Sequence, residues 1–183
     1  KYEVLLTDIY TREARSVQLP NKGPEFVNAA LKPLLENLVD GRKDYVISTD
    51  KGAEFSAVEE VMPQEAAHRS KQGVNDISVV DKLMQTLKRD LAGVAASKGG
   101  DWDENLERTV TAYNSRPHAA VFGAPDTVEI SPQQDFKVLL DNSKKLMRNR
   151  AQSERRMSEV KETRAIRAPV PSGGRSFNPR YGK

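Results

Sequence analysis

YEVLLTDIYTREARSVQLPNKGPEFVNAALKPLLENLVDGRKDYVISTD, residues 2–50, decides the fold class. YEVLLT at its start is a β-rich run, residues 9–15 turn polar, and residues 16–20 (SVQLP) resume an apolar alternation. The pattern predicts two adjacent strands. From Pro24 onward, Phe26, Val27, Ala30, Leu31, Leu34, Leu35 and Leu38 recur at helical spacing, with proline and Glu25 in the first turn. An amphipathic helix follows from that spacing, and Pro33 inside it predicts a kink or an early end. Gly41 closes it, and YVIST (residues 45–49) is continuously apolar enough for a buried strand. Strands alternating with a helix argue for a mixed α/β sheet.

Beyond this segment, residues 55–62 predict a short helix, and residues 63–75 have no clear period and contain Gly73, so a mobile loop is expected. Asp76 is placed to cap a long helix over 77–97 ended by Gly99-Gly100. Asp101 or Asp103 caps the next, with Trp102, Leu106, Val110 and Tyr113 on one face. Trp102 and Phe122 are expected in the core. Residues 117–132 form a looped connection, and a polar helix follows over 133–162. The segment 168–183 (APVPSGGRSFNPRYGK) has too little apolar area to fold alone.

The chain has 183 residues, 37% apolar and 30% charged, and no cysteine. Disulfide scaffolds, cysteine-type zinc sites and thiol nucleophiles are therefore excluded, and a metal would need oxygen ligands or the two histidines. No run approaches the ~18 apolar residues of a membrane span. Glu3 and Asp8 stand where a signal peptide would be uncharged, so a soluble, intracellular protein without membrane partners is expected. The abrupt start at Lys1 and end at Lys183 suggest a fragment of a longer chain. The net charge of +3 hides an asymmetry: residues 142–183 hold twelve Lys/Arg against three Glu, net +9, and residues 1–141 hold seventeen against twenty-three, net −6. An acidic body with a basic tail suits a cation site joined to a polyanion-binding segment, and suits equally a solvated helix and tail.

Three acids stand out by position. Asp8 and Asp50 each follow a predicted strand, and Asp81 lies in the long helix. At ~100° per residue from Ile77, Val80, Leu83, Met84, Leu87, Leu91 and Val94 form one stripe. Asp81 and Lys88 fall beside it, near ~40° and ~20°. Carboxylates at two strand ends and a helix border are what Mg²⁺ or Mn²⁺ needs, although each acid alone has an ordinary role as turn former or surface residue.

LLTDIYTREARSVQLPNK (residues 5–22) resembles the first catalytic block of retroviral and LTR-retrotransposon integrases, and STDKGAEF (48–55) resembles the second. VVDKLMQTLKRDL (79–91) resembles the third, with Asp81 where that family usually has Glu. TAYNSRPHAAVFGAPDTVE (111–129) is similar to the block after it, and residues 164–183 resemble the opening of the C-terminal barrel. The resemblance covers most of the chain in the right order.

It implies an α/β fold, a ribonuclease-H-like mixed sheet flanked by helices and followed by a basic linker helix. The implied layout is a catalytic core over 1–131, a helical linker over 132–167 and the start of a small barrel over 168–183. The implied activity is metal-dependent DNA integration, 3′-end processing and strand transfer, in the nucleus. Asp8, Asp50 and Asp81 would be the catalytic, metal-binding triad for Mg²⁺ or Mn²⁺, with Asp76 a possible substitute. Lys88, His68, Arg69, Arg148, Arg150, Arg155 and Arg156 would contact DNA. DNA and further copies of the chain are the implied partners. Two rival expectations are a nuclease of the same fold and a degenerate DNA-binding or assembly module.

Overall fold

The computed structural model describes residues 1–39, 41–73 and 76–163, so the expectation of a barrel start over 168–183 falls outside the described residues. The chain divides into two units, Lys1–Val138 and Leu139–Lys183.

In the first unit, β1 (Tyr2–Thr7) and β2 (Ala14–Leu19) form an antiparallel hairpin with Val4 opposite Val17 and Thr7 opposite Ala14. Helix α1 (Pro24–Val39) follows, then β3 (Val46–Thr49). Next come two 3-10 turns, Ala53–Phe55 and Val58–Val61, and β4 (Ala67–Ser70), which pairs parallel with β3. Helices α2 (Ser78–Lys98) and α3 (Leu106–Asn114) come next. Two further 3-10 turns, Ala119–Val121 and Pro125–Thr127, lead into α4 (Pro132–Thr163), which continues into the second unit. Antiparallel and parallel pairing are both present. Among the described residues they form two separate two-stranded sheets.

Side-chain alternation explains the layering. Val4, Val17 and Leu19 point to one face of the hairpin, where they join Val27, Leu31, Leu34 and Leu35 of α1 and Ile47 of β3. Leu5 and Ala14 point to the other, where they meet Leu83, Leu87 and Leu91 of α2 and Leu106, Val110 and Tyr113 of α3. Helices thus cover both faces of the hairpin, and the predicted stripe on α2 is buried at its centre. Asn114, at the end of α3, locks this layer: its side-chain carbonyl accepts the Ala14 N–H at 2.8 Å and its amide donates to the Ala14 carbonyl at 2.8 Å.

Several local expectations are corrected. Residues 63–75 hold a strand, β4, whose sequence AHRS has no apolar alternation because it is specified by its partner β3. Residues 55–62 make short 3-10 turns instead of one helix, since Val58 is the only fully buried side chain there and no apolar stripe can hold an α-helix to the core. Pro33 does not end α1, which runs on to Val39 with the proline on its exposed side. There the carbonyl freed at Ala29 can bond water. Asp76 does not cap α2; Ile77 holds the N-cap position without a side-chain bond. Asp101 and Asp103 do not cap α3, which starts at Leu106, and both pair instead with Lys1. Trp102 is 37% exposed in the turns before α3. Phe122 is 51% exposed at φ +60°, because the buried amide of Gln134 fills the space under its turn.

In the second unit, residues 139–163 continue α4, and the side chains of residues 139–162 are largely exposed. Its i,i+4 pairs Lys145–Asp141, Arg150–Glu154 and Arg155–Glu159 support the helix.

Candidate functional site

A cleft of about 590 Å³ opens between the unpaired edges of β1 and β3, with α1 residues such as Leu31 and Leu35 on one side and α2 residues Val80 and Met84 on the other. Asp8, the residue after β1, Asp50, the residue after β3, and Asp81, in the first turn of α2, all line it, joined by Glu54 and Asp76. Two carboxylates at carboxyl ends of strands and a third on a helix thus converge on one concavity, the usual place for ligands in α/β folds.

Each acid is held differently. Asp8 opens the six-residue turn between β1 and β2, which is closed by its N–H donating to the Glu13 carbonyl at 3.0 Å and by Arg12 at φ +65°. Its Oδ2 accepts the Thr11 N–H at 3.0 Å and the Thr11 hydroxyl at 2.9 Å, and its Oδ1 accepts the Tyr10 N–H at 3.3 Å. The turn is anchored by Tyr10, whose hydroxyl donates to Asp135 Oδ1 at 2.5 Å and whose ring packs on Val121, Val128 and Val138. Burial and the Asp135 bond push the Tyr10 hydroxyl up to about 12, so it remains a donor at neutral pH. Asp50 Oδ1 accepts the Gly52 N–H at 3.1 Å. The Glu54 carboxylate lies over Gly52, within 2.5 Å of where a Cβ there would stand, so it reaches back toward the Asp50 turn. Asp76 accepts the N–H groups of Gln72 at 2.8 Å and Gly73 at 2.7 Å, and these two bonds hold its carboxyl below the usual range.

The donor set is entirely carboxylate, which fits a hard cation such as Mg²⁺ or Mn²⁺ in kind. In spacing the acids are not assembled: among the described residues no three His, Asp or Glu side chains stand close enough to hold one ion. Open acceptor positions nevertheless remain on Asp8 Oδ1 and Asp50 Oδ2, and the Asp81 carboxylate has no hydrogen-bond partner among the described residues.

The basic residues are more scattered. Lys88 is exposed on the face of α2 that meets Glu3. Burial raises the Glu3 carboxyl, the Lys88 charge opposes that rise, and Glu3 Oε2 is buried without a hydrogen-bond partner. His68 turns inward, its Nε2 2.9 Å from the Thr49 hydroxyl, while Arg69 beside it is exposed. On α4, Arg150 and Arg155 are held in the i,i+4 pairs, and Arg148 and Arg156 are exposed without an ion-pair partner among the described residues. Leu146, Met147 and Met157 are also exposed on that helix. Sequence inspection alone missed Glu54, Tyr10 and Thr11; the one available signal was their lying within three or four residues of Asp50 and Asp8.

No protein-family model and no curated protein matches this chain. Solved structures do. A chain of the simian T-cell lymphotropic virus intasome in complex with PP2A regulatory subunit B56 gamma is similar over 71% of this chain, with a TM-score of 0.62 and 14% identity. This chain spans 48% of that one. The catalytic core domain of BIV integrase is similar over 74% of this chain and 88% of its own, with a TM-score of 0.56 and 14% identity. The fold is that of a retroviral integrase catalytic core, ribonuclease-H-like, with a long C-terminal helix.

Proposed function

We propose that this chain is the core and linker of a DNA integrase, a polynucleotidyl transferase that processes 3′ ends and joins them to target DNA. The observation that carries the proposal is the convergence of Asp8, Asp50 and Asp81 on one cleft from three separate elements. Asp8, Asp50 and Asp81 would hold Mg²⁺ or Mn²⁺, an ion able in such a site to lower the pKa of a bound water and to neutralise charge on a phosphate. Asp8 is positioned for this by its turn, and Asp50 by Gly52. Asp81 projects from the first turn of α2 into the same cleft.

Arg69, Lys88, Arg148, Arg150, Arg155 and Arg156 are assigned to the DNA backbone. None belongs to an apparent base-reading motif, and phosphate contacts orient DNA without reading it. Exposed i,i+4 ion pairs such as Arg150–Glu154 contribute only ~0.3–0.5 kcal/mol, so exchanging Glu154 for a phosphate costs little. His68, held by Thr49, has the weaker claim. The linker begins near residue 132, and assembly on two DNA ends, in several copies and in the nucleus, belongs to the same proposal.

A second possibility, a degenerate module that binds DNA without reacting, is favoured by the unassembled spacing of the acids. The deciding experiment is a Mg²⁺-dependent reaction with labelled DNA ends. Strand transfer lost by ~100-fold or more in Asp8→Asn, Asp50→Asn and Asp81→Asn supports the integrase. Cleavage without joining identifies a nuclease, and DNA binding with neither product identifies the module. Asp81→Glu, which moves the carboxylate by about 1 Å, lowers transfer in a site adapted to aspartate and raises it in a decayed one.

A further inference from the structure

From Leu139 onward, α4 leaves an apolar stripe exposed. At ~100° per residue, with Leu139 at zero, Leu146, Met157 and Val160 fall within ~60° of it and Met147 at ~80°. Leu146 and Met147 are 70% and 72% exposed, and Met157 is 59% exposed. Lys144, Arg148 and Arg155 fall at ~140–180°, on the far side. Leu139, Leu146 and Val160 are spaced by multiples of seven residues, and Met157 lies three before Val160, the spacing of the d and a positions of a heptad. Helices of this kind take most of their stability from an apolar face packed against another element, so the stripe calls for a partner.

We propose that this stripe pairs with the same stripe of a second copy of the chain, the two helices running antiparallel. The proposal rests on the proposed assembly in several copies and gives that assembly a surface. Charge decides both the partner and the direction. Apart from Asp141, which Lys145 holds, the acids of this stretch are Glu154, Glu159 and Glu162, all after Arg150, whereas Lys144, Lys145 and Arg148 precede it. Such a helix complements a copy of itself only when that copy is reversed. Arg150 falls inside the stripe, near ~20°, and pairs with Glu154 of its own helix at 3.0 Å. Parallel pairing would set the two Arg150 side chains against each other and Arg156 against Lys161. Antiparallel pairing centred between residues 150 and 153 sets Leu146 of each copy on Met157 of the other and brings each Arg150 alongside the other's Glu154. One polar layer in a seam of this kind fixes register at a cost in stability. Arg148 and Arg155, on the far side, remain for DNA, and Arg150 passes from the DNA-facing set to the seam.

The test is sedimentation equilibrium of the whole chain without DNA. Wild type should show a reversible equilibrium between monomer and dimer. Leu146→Glu or Met157→Glu should raise the dissociation constant by on the order of 100-fold, because each substitution enters the pair twice and each entry loses about tenfold. Direction is read by disulfide cross-linking, for which the chain offers a clean background because it has no cysteine. Chains carrying Leu146→Cys and chains carrying Met157→Cys, mixed and oxidised, should link to each other. Neither should link to itself, since the two positions lie ~16 Å apart along one helix, beyond the reach of a disulfide. Self-links in either variant alone overturn the antiparallel direction. A monomeric wild type, or a dimer whose dissociation constant is unchanged by both glutamate substitutions, overturns the seam. A chain that pairs through the stripe and yields no DNA product overturns the integrase reading and leaves the seam standing, and strand transfer by a chain whose dimer ignores both glutamates does the reverse.

Discussion

Asn114→Ala is expected to have a large effect on stability away from the cleft. The Asn114 side chain satisfies the N–H and the carbonyl of Ala14 together, and Ala14 is fully buried between the hairpin and the helices. Alanine leaves a donor and an acceptor unmade, each at about 1–3 kcal/mol. Water entering the vacated space recovers part of this, so the net loss is about 2–4 kcal/mol, a large share of the ~5–15 kcal/mol that holds a domain together. In urea, with a slope of ~1–3 kcal/mol per molar, the midpoint falls by about 1–2 M at constant slope. Asn114→Asp supplies a signature that simple truncation lacks. The carboxylate still accepts from the Ala14 N–H but repels its carbonyl, and only the protonated acid can donate to it. The folded state thus raises that carboxyl, so the lost stability returns as pH falls toward 4 and is absent at pH 7. A loss below ~0.5 kcal/mol in the alanine variant, or an aspartate variant indifferent to pH, would refute the bracing role.

The Glu3 carboxyl is raised above its ordinary value of 4.5 by burial, so its favourable contribution exists below that pH and is lost as pH rises through the folded value. Glu3→Gln should therefore raise the thermal midpoint at pH 7 and leave it nearly unchanged at pH 4. Deleting residues 142–183 removes a net +9, so DNA binding should depend less steeply on salt, the log–log slope flattening by ~0.9 for every phosphate the tail neutralises. An unchanged slope would assign the tail to protein contacts.

The strands and helices with strong apolar periods were legible in the sequence. Tyr2–Thr7 matched its strand, and the stripe of Leu83, Leu87 and Leu91 was buried as its spacing requires. AHRS was not legible because nothing in its own side chains specifies a strand; Val46–Thr49 does, by pairing with it. Trp102 and Phe122 misled because bulk alone predicts burial, while Trp102 lies in the turns before α3 and the buried amide of Gln134 takes the space under Phe122. The three acids were visible as residues after strands or beside a stripe and were grouped as one triad by the resemblance, while spacing alone could not show that α2 lies across the hairpin and brings Asp81 to the same cleft. Thr11 and Tyr10 looked like polar turn residues, since a hydroxyl's partner is a property of the folded turn and has no period in sequence.

The hairpin and the helix that braces it also differ in how far apart their contacts lie along the chain. Joining β1 to β2 closes a turn of only six residues, from Asp8 to Glu13, whereas Asn114 reaches Ala14 across 100 residues. Loop-closure entropy makes the second step costlier by roughly 2.5 kcal/mol. The turn that carries Asp8 can therefore form early, while the amide that seals Ala14 arrives among the last contacts. Until α3 docks, the start of β2 remains an unsealed strand end, and refolding through such a state is slow and open to pairing with other chains. Substitutions that weaken α3 should accordingly speed unfolding and leave the early hairpin-forming steps of folding untouched.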